Sequence, residues 1–221
     1  MFTKLLAYEI RSRFRADARS FGAFIVTIAV ASGIVAAGLP GVSGSTAVLA
    51  YALCALTPVA CAIAAMADYW KTLYGQRGYF TMSLPVSGKV IFWAKNTRMV
   101  IECLLALALA VGGIIAVASA AAWSDGISLA EYTAGPRSLA AGLPTSTVVI
   151  MIVAQVLVSL SWLVQGSAVI SIGSEGRFNH MGFGAPVIGF VLLYIVNQVL
   201  STVGTFFLPL SVTTDGHFST E

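Results

Sequence analysis

MVIECLLALALAVGGIIAVASAAA, residues 99–122, holds a single carboxylate, Glu102, in an otherwise apolar run. A hydrocarbon core of about 30 Å takes roughly 20 helical residues to cross. A run of this length and composition is therefore read as a transmembrane helix. Four further runs, 21–39, 46–67, 147–172 and 187–208, have the same character, and none of them holds a charged residue. The chain is expected to be an all-α integral membrane protein with five spans. Its composition agrees: 58% of residues are hydrophobic and 10% charged, against about 25% charged in soluble domains. Short connections leave little chain for a soluble domain, so residues 1–221 are expected to form one membrane domain.

The charges between the runs set an orientation. Lys4, Arg11, Arg13, Arg15 and Arg19 precede the first run, Lys71, Arg77, Lys89, Lys95 and Arg98 lie between the second and third, and Arg177 lies between the fourth and fifth. The alternate segments hold Arg137 and the acids Asp125, Glu131, Asp215 and Glu221. Loops rich in Lys and Arg stay in the cytoplasm during insertion, which places the amino terminus inside and, after five spans, the carboxyl end outside. The net charge of +3 is accounted for by this asymmetry, and no basic and aromatic surface remains to suggest nucleic acid as a partner.

Ahead of the first span, Phe2, Leu5, Leu6, Ile10 and Phe14 recur at helical spacing, with Lys4, Glu9, Arg11, Arg13 and Arg15 on much of the other face. Residues 1–20 are thus expected as an amphipathic helix at the inner interface. Its arginines meet anionic lipid or a cytoplasmic partner, or the helix is a plain anchor. The short Gly and Ser connection 40–45 makes the first two spans an antiparallel hairpin, and Pro58 is expected to kink the second. The segment 123–146 is the longest outer connection, with a short interfacial helix near Ile127, Leu129 and Tyr132. Cys54, Cys61 and Cys103 lie within spans and read as small apolar filler.

No catalytic constellation is visible. His180 and His217 fall on opposite sides of the membrane with no Cys or carboxylate at ligand spacing, so no metal is expected. The phosphate-binding pattern G-x-x-x-x-G-K-[ST] is missing, because Gly88 and Lys89 precede Val90 and Ser83 stands where the first glycine belongs. The chain itself is expected to hold no cofactor and to hydrolyse no nucleotide.

The connection 68–98 is unusually aromatic for a solvated loop. Tyr69, Trp70, Leu73 and Tyr74 recur at helical spacing, Gly75 and Gly78 break the run, and Tyr79, Phe80, Leu84 and Pro85 follow. Such surface is costly in water, so it enters the membrane interface, folds back on the helices, or docks with a partner. The sequence GYFTMSLPVS, residues 78–87, followed by an apolar and basic run into the next span, resembles the loop after the second helix in type-2 permease subunits of ATP-binding-cassette exporters. The basic amphipathic helix and the helical hairpin ahead of it are similar to that family too. The likeness is best over about the first 105 residues.

The resemblance implies a coupling helix within 69–79 that inserts into a cleft on a separate ATPase subunit, with Tyr69, Trp70, Leu73, Tyr74, Arg77, Tyr79 and Phe80 as the docking residues. ATP and Mg would be bound by that subunit, and a second permease, the same or a homologous chain, would complete the transporter in a bacterial plasma membrane. Such permeases usually have six spans with both termini inside; either a sixth would follow the polar tail 211–221 or this subunit is unusual. The mostly apolar spans, with few fixed charges, would suit a hydrophobic or amphipathic cargo such as a peptide, drug or lipid. A membrane scaffold that docks a cytoplasmic partner without transport is the alternative.

Two polar stripes are candidates for a translocation path. Gln155, Ser159, Trp162 and Gly166 align on the fourth span, and Tyr194, Asn197, Ser201 and Thr205 on the fifth, with Gln198 alongside. Helix-to-helix hydrogen bonding is the competing role for both. Glu102 follows Arg98 by one helical turn, the spacing of a local ion pair, although an intramembrane carboxylate is also a candidate ion or proton site.

Overall fold

A computed structural model describes residues 1–75, 78, 81, 83, 85–175, 184–207, 211–212 and 218–219. Helices α1 (Phe2–Ala36), α2 (Ser43–Leu73) and α3 (Gly88–Ser124) come first. The short α4 (Leu129–Tyr132) and α5 (Ala134–Ala141) follow, then α6 (Thr145–Gly173) and α7 (Gly184–Phe207). Near the carboxyl end, β1 (Ser211–Val212) and β2 (Phe218–Ser219) form a two-residue antiparallel pairing, with Ser211 opposite Ser219. Among the described residues, α1, α2, α3, α6 and α7 are long and apolar enough to cross a membrane. The protein is a helical, membrane-spanning chain.

The helices run past the apolar cores expected to bound them. At about 1.5 Å per residue, the 35 residues of α1 extend roughly 52 Å, beyond the hydrocarbon thickness. Residues 1–20, expected as a separate interfacial helix, are continuous with the first span. The 68–98 loop likewise shrinks to 74–87, because α2 continues to Leu73 and α3 begins at Gly88. On these polar flanks Glu9, Arg13, Asp68 and Lys95 pair with charged side chains of neighbouring helices. Pro58 lies inside α2 without ending it. The turn from α1 to α2 uses the left-handed backbone at Gly38 (φ 63°) and Gly41 (φ 77°), a conformation glycine adopts without steric cost. Ser43 Oγ donates to the Leu39 carbonyl at 3.0 Å and closes that turn.

One domain is expected from the sequence, but the chain divides into two compact units, Met1–Gly135 and Pro136–Glu221. In the first unit α3 packs on both α1 and α2. Its contact surface is lined by small residues: Ile28, Ala50, Cys54 and Val117 form one buried cluster, and Val35, Ala120 and Ala121 another. A Cβ on Gly113 would stand 2.7 Å from Cys54 Sγ; its absence is what lets α2 and α3 approach closely, as small residues do at membrane helix contacts. The outer face of α3 is apolar, with Leu105 and Ile115 about half exposed. In the second unit α6 and α7 pack as a hairpin, close enough that a Cβ on Gly189 would meet Val169 Cγ1 at 2.6 Å. The connection 123–146 carries α4, whose first turn is capped by Ser128 Oγ accepting from the Glu131 N–H at 3.2 Å, where a short helix is expected.

Candidate functional site

The first unit buries an ionic network at one end. Helix α1 contributes Glu9 and Arg13, one turn apart; α2 contributes Asp68 near its end. Helix α3 contributes Lys95, Arg98 and Glu102, whose spacings of three and four residues put them on one face. Lys95 Nζ lies 2.9 Å from Glu9 Oε1 and donates to Thr72 Oγ1 at 3.0 Å. Arg98 is the hub. Its Nη2 donates to Asp68 Oδ2 at 2.9 Å and its Nη1 to Glu102 Oε1. Its Nε lies 3.8 Å from Glu9 Oε2, an ion pair too long to count as a hydrogen bond. Arg13 Nη1 adds a 3.3 Å pair with the other oxygen of Asp68.

Lys95 and Arg98 are each 1% exposed. Removing a lone charge from water costs several kcal/mol even after relaxation, so burial this deep requires matching carboxylates. Three cations, Arg13, Lys95 and Arg98, meet Glu9, Asp68 and Glu102, and the set is neutral. The Arg98–Glu102 pair expected from spacing is present. Lys95, Glu9, Arg13 and Asp68 are the members that sequence reasoning did not place in it; Glu9 and Arg13 are assigned there to a polar face. The one available signal was Glu9 itself, an isolated acid on an otherwise basic helical face.

The network is joined to the connection that follows α2. Thr72 Oγ1 donates to the Asp68 carbonyl at 2.8 Å while accepting from Lys95. Thr81 Oγ1 reaches back across the turn to the Thr72 carbonyl at 2.9 Å. The chain returns so close to the end of α2 that a Cβ on Gly78 would clash with the Leu73 carbonyl oxygen, a place only glycine fills. Gly78 N–H donates to the Gly75 carbonyl at 2.8 Å.

The docking residues expected here separate into distinct environments. Tyr69 and Leu73 are buried, 1% and 5% exposed; the Tyr69 ring sits 6.5 Å from both Tyr74 and Phe92. Tyr69 and Leu73 fold back on the helices, one of the three fates open to this run. Trp70 and Tyr74 are half-buried. Arg77, Tyr79 and Phe80 lie outside the described residues, as does His180 in the second unit. Trp93 on α3, not singled out in the sequence, is 54% exposed and stacks edge-on to Phe92 at 5.5 Å.

The polar stripes of the second unit hold one residue engaged between helices and four at the surface. Asn197 Nδ2 donates to Gln165 Oε1 at 3.0 Å, so this position holds α7 to α6. Gln155, Ser159, Tyr194 and Ser201 are exposed, and the Ser159 hydroxyl is turned to the Gln155 carbonyl of its own helix at 2.8 Å. Among the described residues no group of His, Cys, Asp and Glu is placed to hold a metal ion. What the first unit offers is mechanical: three helices pinned at one end by buried charge, with a turn fastened to the pin. Comparison with models of known protein families, with curated proteins and with solved structures finds no match for this chain.

Proposed function

We propose that the chain is the membrane-spanning permease subunit of an ATP-driven exporter of the type-2 ATP-binding-cassette class. The observation that carries this reading is the brace from Thr81 through Thr72 to Lys95, which fastens the 74–87 connection to the buried Arg98 network. A coupling element must pass displacement to the helices instead of absorbing it, and a turn hydrogen-bonded to a charge-locked helix end has that property. The connection faces the cytoplasm in this reading, as its basic content argues. Trp70, Tyr74, Arg77, Tyr79 and Phe80 contact a separate ATPase subunit, which binds ATP and Mg. Tyr69 and Leu73 hold the mount from within. Buried aromatic and Arg side chains are the usual anchors of such contacts.

A push at the connection reaches Asp68 and, through Arg98, both α1 and α3. Two such permeases, moving against each other, would expose a hydrophobic or amphipathic cargo alternately to the two faces of a bacterial plasma membrane. The rival is a non-transporting scaffold, which needs the same docking aromatics but no rigid mount. Purification from the native membrane in mild detergent tests the two. An ATPase should accompany the chain, and both its retention and ATP hydrolysis should fall in Tyr74→Ala and Phe80→Ala variants. An intact preparation with no ATPase supports the scaffold instead.

A further inference from the structure

The contact between α2 and α3 holds two thiols. Cys61 on α2 places its Sγ 3.7 Å from the Glu102 carbonyl of α3. Its side chain is hydrogen-bonded to that of Cys103, the next residue on α3. Neither cysteine is fully buried, and neither is bridged. Elsewhere the same unit fills its helix contacts with residues such as Ala50, Gly113 and Ala121. Apolar filler accounts for one cysteine at a time, whereas two sulfurs meeting across one contact have a chemistry that alanine lacks.

The pair can be reached from outside. Cys61 lines a cleft of about 460 Å³, together with Phe21, Phe24 and Ala64 and with the acids Asp17 and Glu102. Both cysteines belong to the apolar runs 46–67 and 99–122, which a charged reagent enters only at high cost. The acids oppose an anion in particular, so an oxidant that meets Cys61 there is small, neutral and soluble in hydrocarbon. A bridge needs cysteines whose side chains are directed at each other across a short gap, and the hydrogen-bonded pair meets that condition. Cys54, about two helical turns away on α2, faces Gly113 instead.

From this juxtaposition we infer that Cys61 and Cys103 are a redox pair that closes into a disulfide between α2 and α3, with a neutral organic hydroperoxide as the oxidant. The Cys61 sulfur attacks the terminal peroxide oxygen, the O–O bond breaks, and the thiol proton leaves with the alcohol, so that Cys61 becomes a sulfenic acid. The Cys103 sulfur then attacks the Cys61 sulfur, the S–O bond breaks, and the Cys103 proton leaves with the hydroxide as water. Two thiols and one hydroperoxide thus give one disulfide, one alcohol and one water, with two electrons passing from sulfur to the peroxide. The bridge ties α2 to α3 one residue beyond Glu102, beside the Arg98 network, and a dithiol reductant reopens it. The pair is complete in this chain alone and does not depend on transport or on an ATPase.

Exposure of the full chain in detergent to cumene hydroperoxide, followed by denaturation and maleimide labelling, tests it. The chain has three cysteines, and its free thiols should fall from three to one, with an intact mass about 2 Da lower for the two hydrogens lost. Proteolysis should yield a peptide linking Cys61 to Cys103 and leave Cys54 labelled, and dithiothreitol should restore all three thiols. In Cys103→Ser the bridge should be lost and the Cys61 sulfenic acid should become open to capture by dimedone. The unaltered chain decides the matter by itself if that variant does not fold. Three thiols still labelled after peroxide, a link that includes Cys54, a disulfide between two chains, or oxidation of Cys61 to sulfinic acid without a bridge each overturn the assignment.

Discussion

Arg98 concentrates more of the fold into one side chain than any other residue in the first unit, since its guanidinium meets carboxylates from three helices. Replacing it with Met strands Glu102 and leaves Asp68 with Arg13 and Glu9 with Lys95, and breaking a buried pair from one side costs about 3–5 kcal/mol. The Arg98→Met variant should show a sharply lowered unfolding temperature in detergent. Adding Glu102→Leu should recover part of the loss, because one stranded carboxylate is removed with it; a double variant no better than the single would show that Arg98 acts through packing alone. Of this network only the Arg98–Glu102 pair was legible in the sequence. Pairs four residues apart on one helix are fixed by helical geometry, whereas Lys95–Glu9 and Arg98–Asp68 depend on how far one helix slides along another. That register is set by contacts among alanines and glycines, which leave no charge or periodicity to read.

Helix contacts test the same point at the level of elements. The absence of a side chain at Gly113 sets the approach of α2 and α3, so Gly113→Ala should destabilise by about 1–3 kcal/mol, as overpacking does. Cys54→Ala removes the sulfur that the new methyl meets at 2.7 Å and should relieve much of the cost, which thermal unfolding of the two single variants and the double would reveal. In the α6–α7 hairpin, Asn197→Leu should cost only about 0.6 kcal/mol and at most roughly 1.7, the measured span for hydrogen bonds between membrane helices. A larger loss on unfolding in mixed micelles would mean that Asn197 holds more than Gln165. The five long helices were readable from their apolar cores because hydropathy and length specify a span almost without tertiary information. Their ends were not. Whether Asp68, Lys95 and the first twenty residues continue a helix or leave it depends on partners supplied by other helices, and the aromatic run 69–74 divides between interior and surface for the same reason.

For the whole molecule, orientation is the open quantity with the most direct test. Ser87→Cys and Asp125→Cys mark the two ends of α3. A membrane-impermeant maleimide should label the second in intact cells and the first only after permeabilisation; the reverse pattern would invert the topology and remove the 74–87 connection from reach of a cytoplasmic ATPase. The division at Gly135 is not legible as a domain boundary in the sequence, since 123–146 reads there as a simple outer connection. The neutral network also bears on how the protein is made. Helices enter the bilayer in order from the ribosome, and until α3 arrives Glu9 and Asp68 have only Arg13 between them. A nascent chain stalled after α2, or a mispaired one, displays a charge imbalance that a finished chain does not. Charge pairing in the first unit is thus completed only by the last of its three long helices, which brings Lys95, Arg98 and Glu102 together.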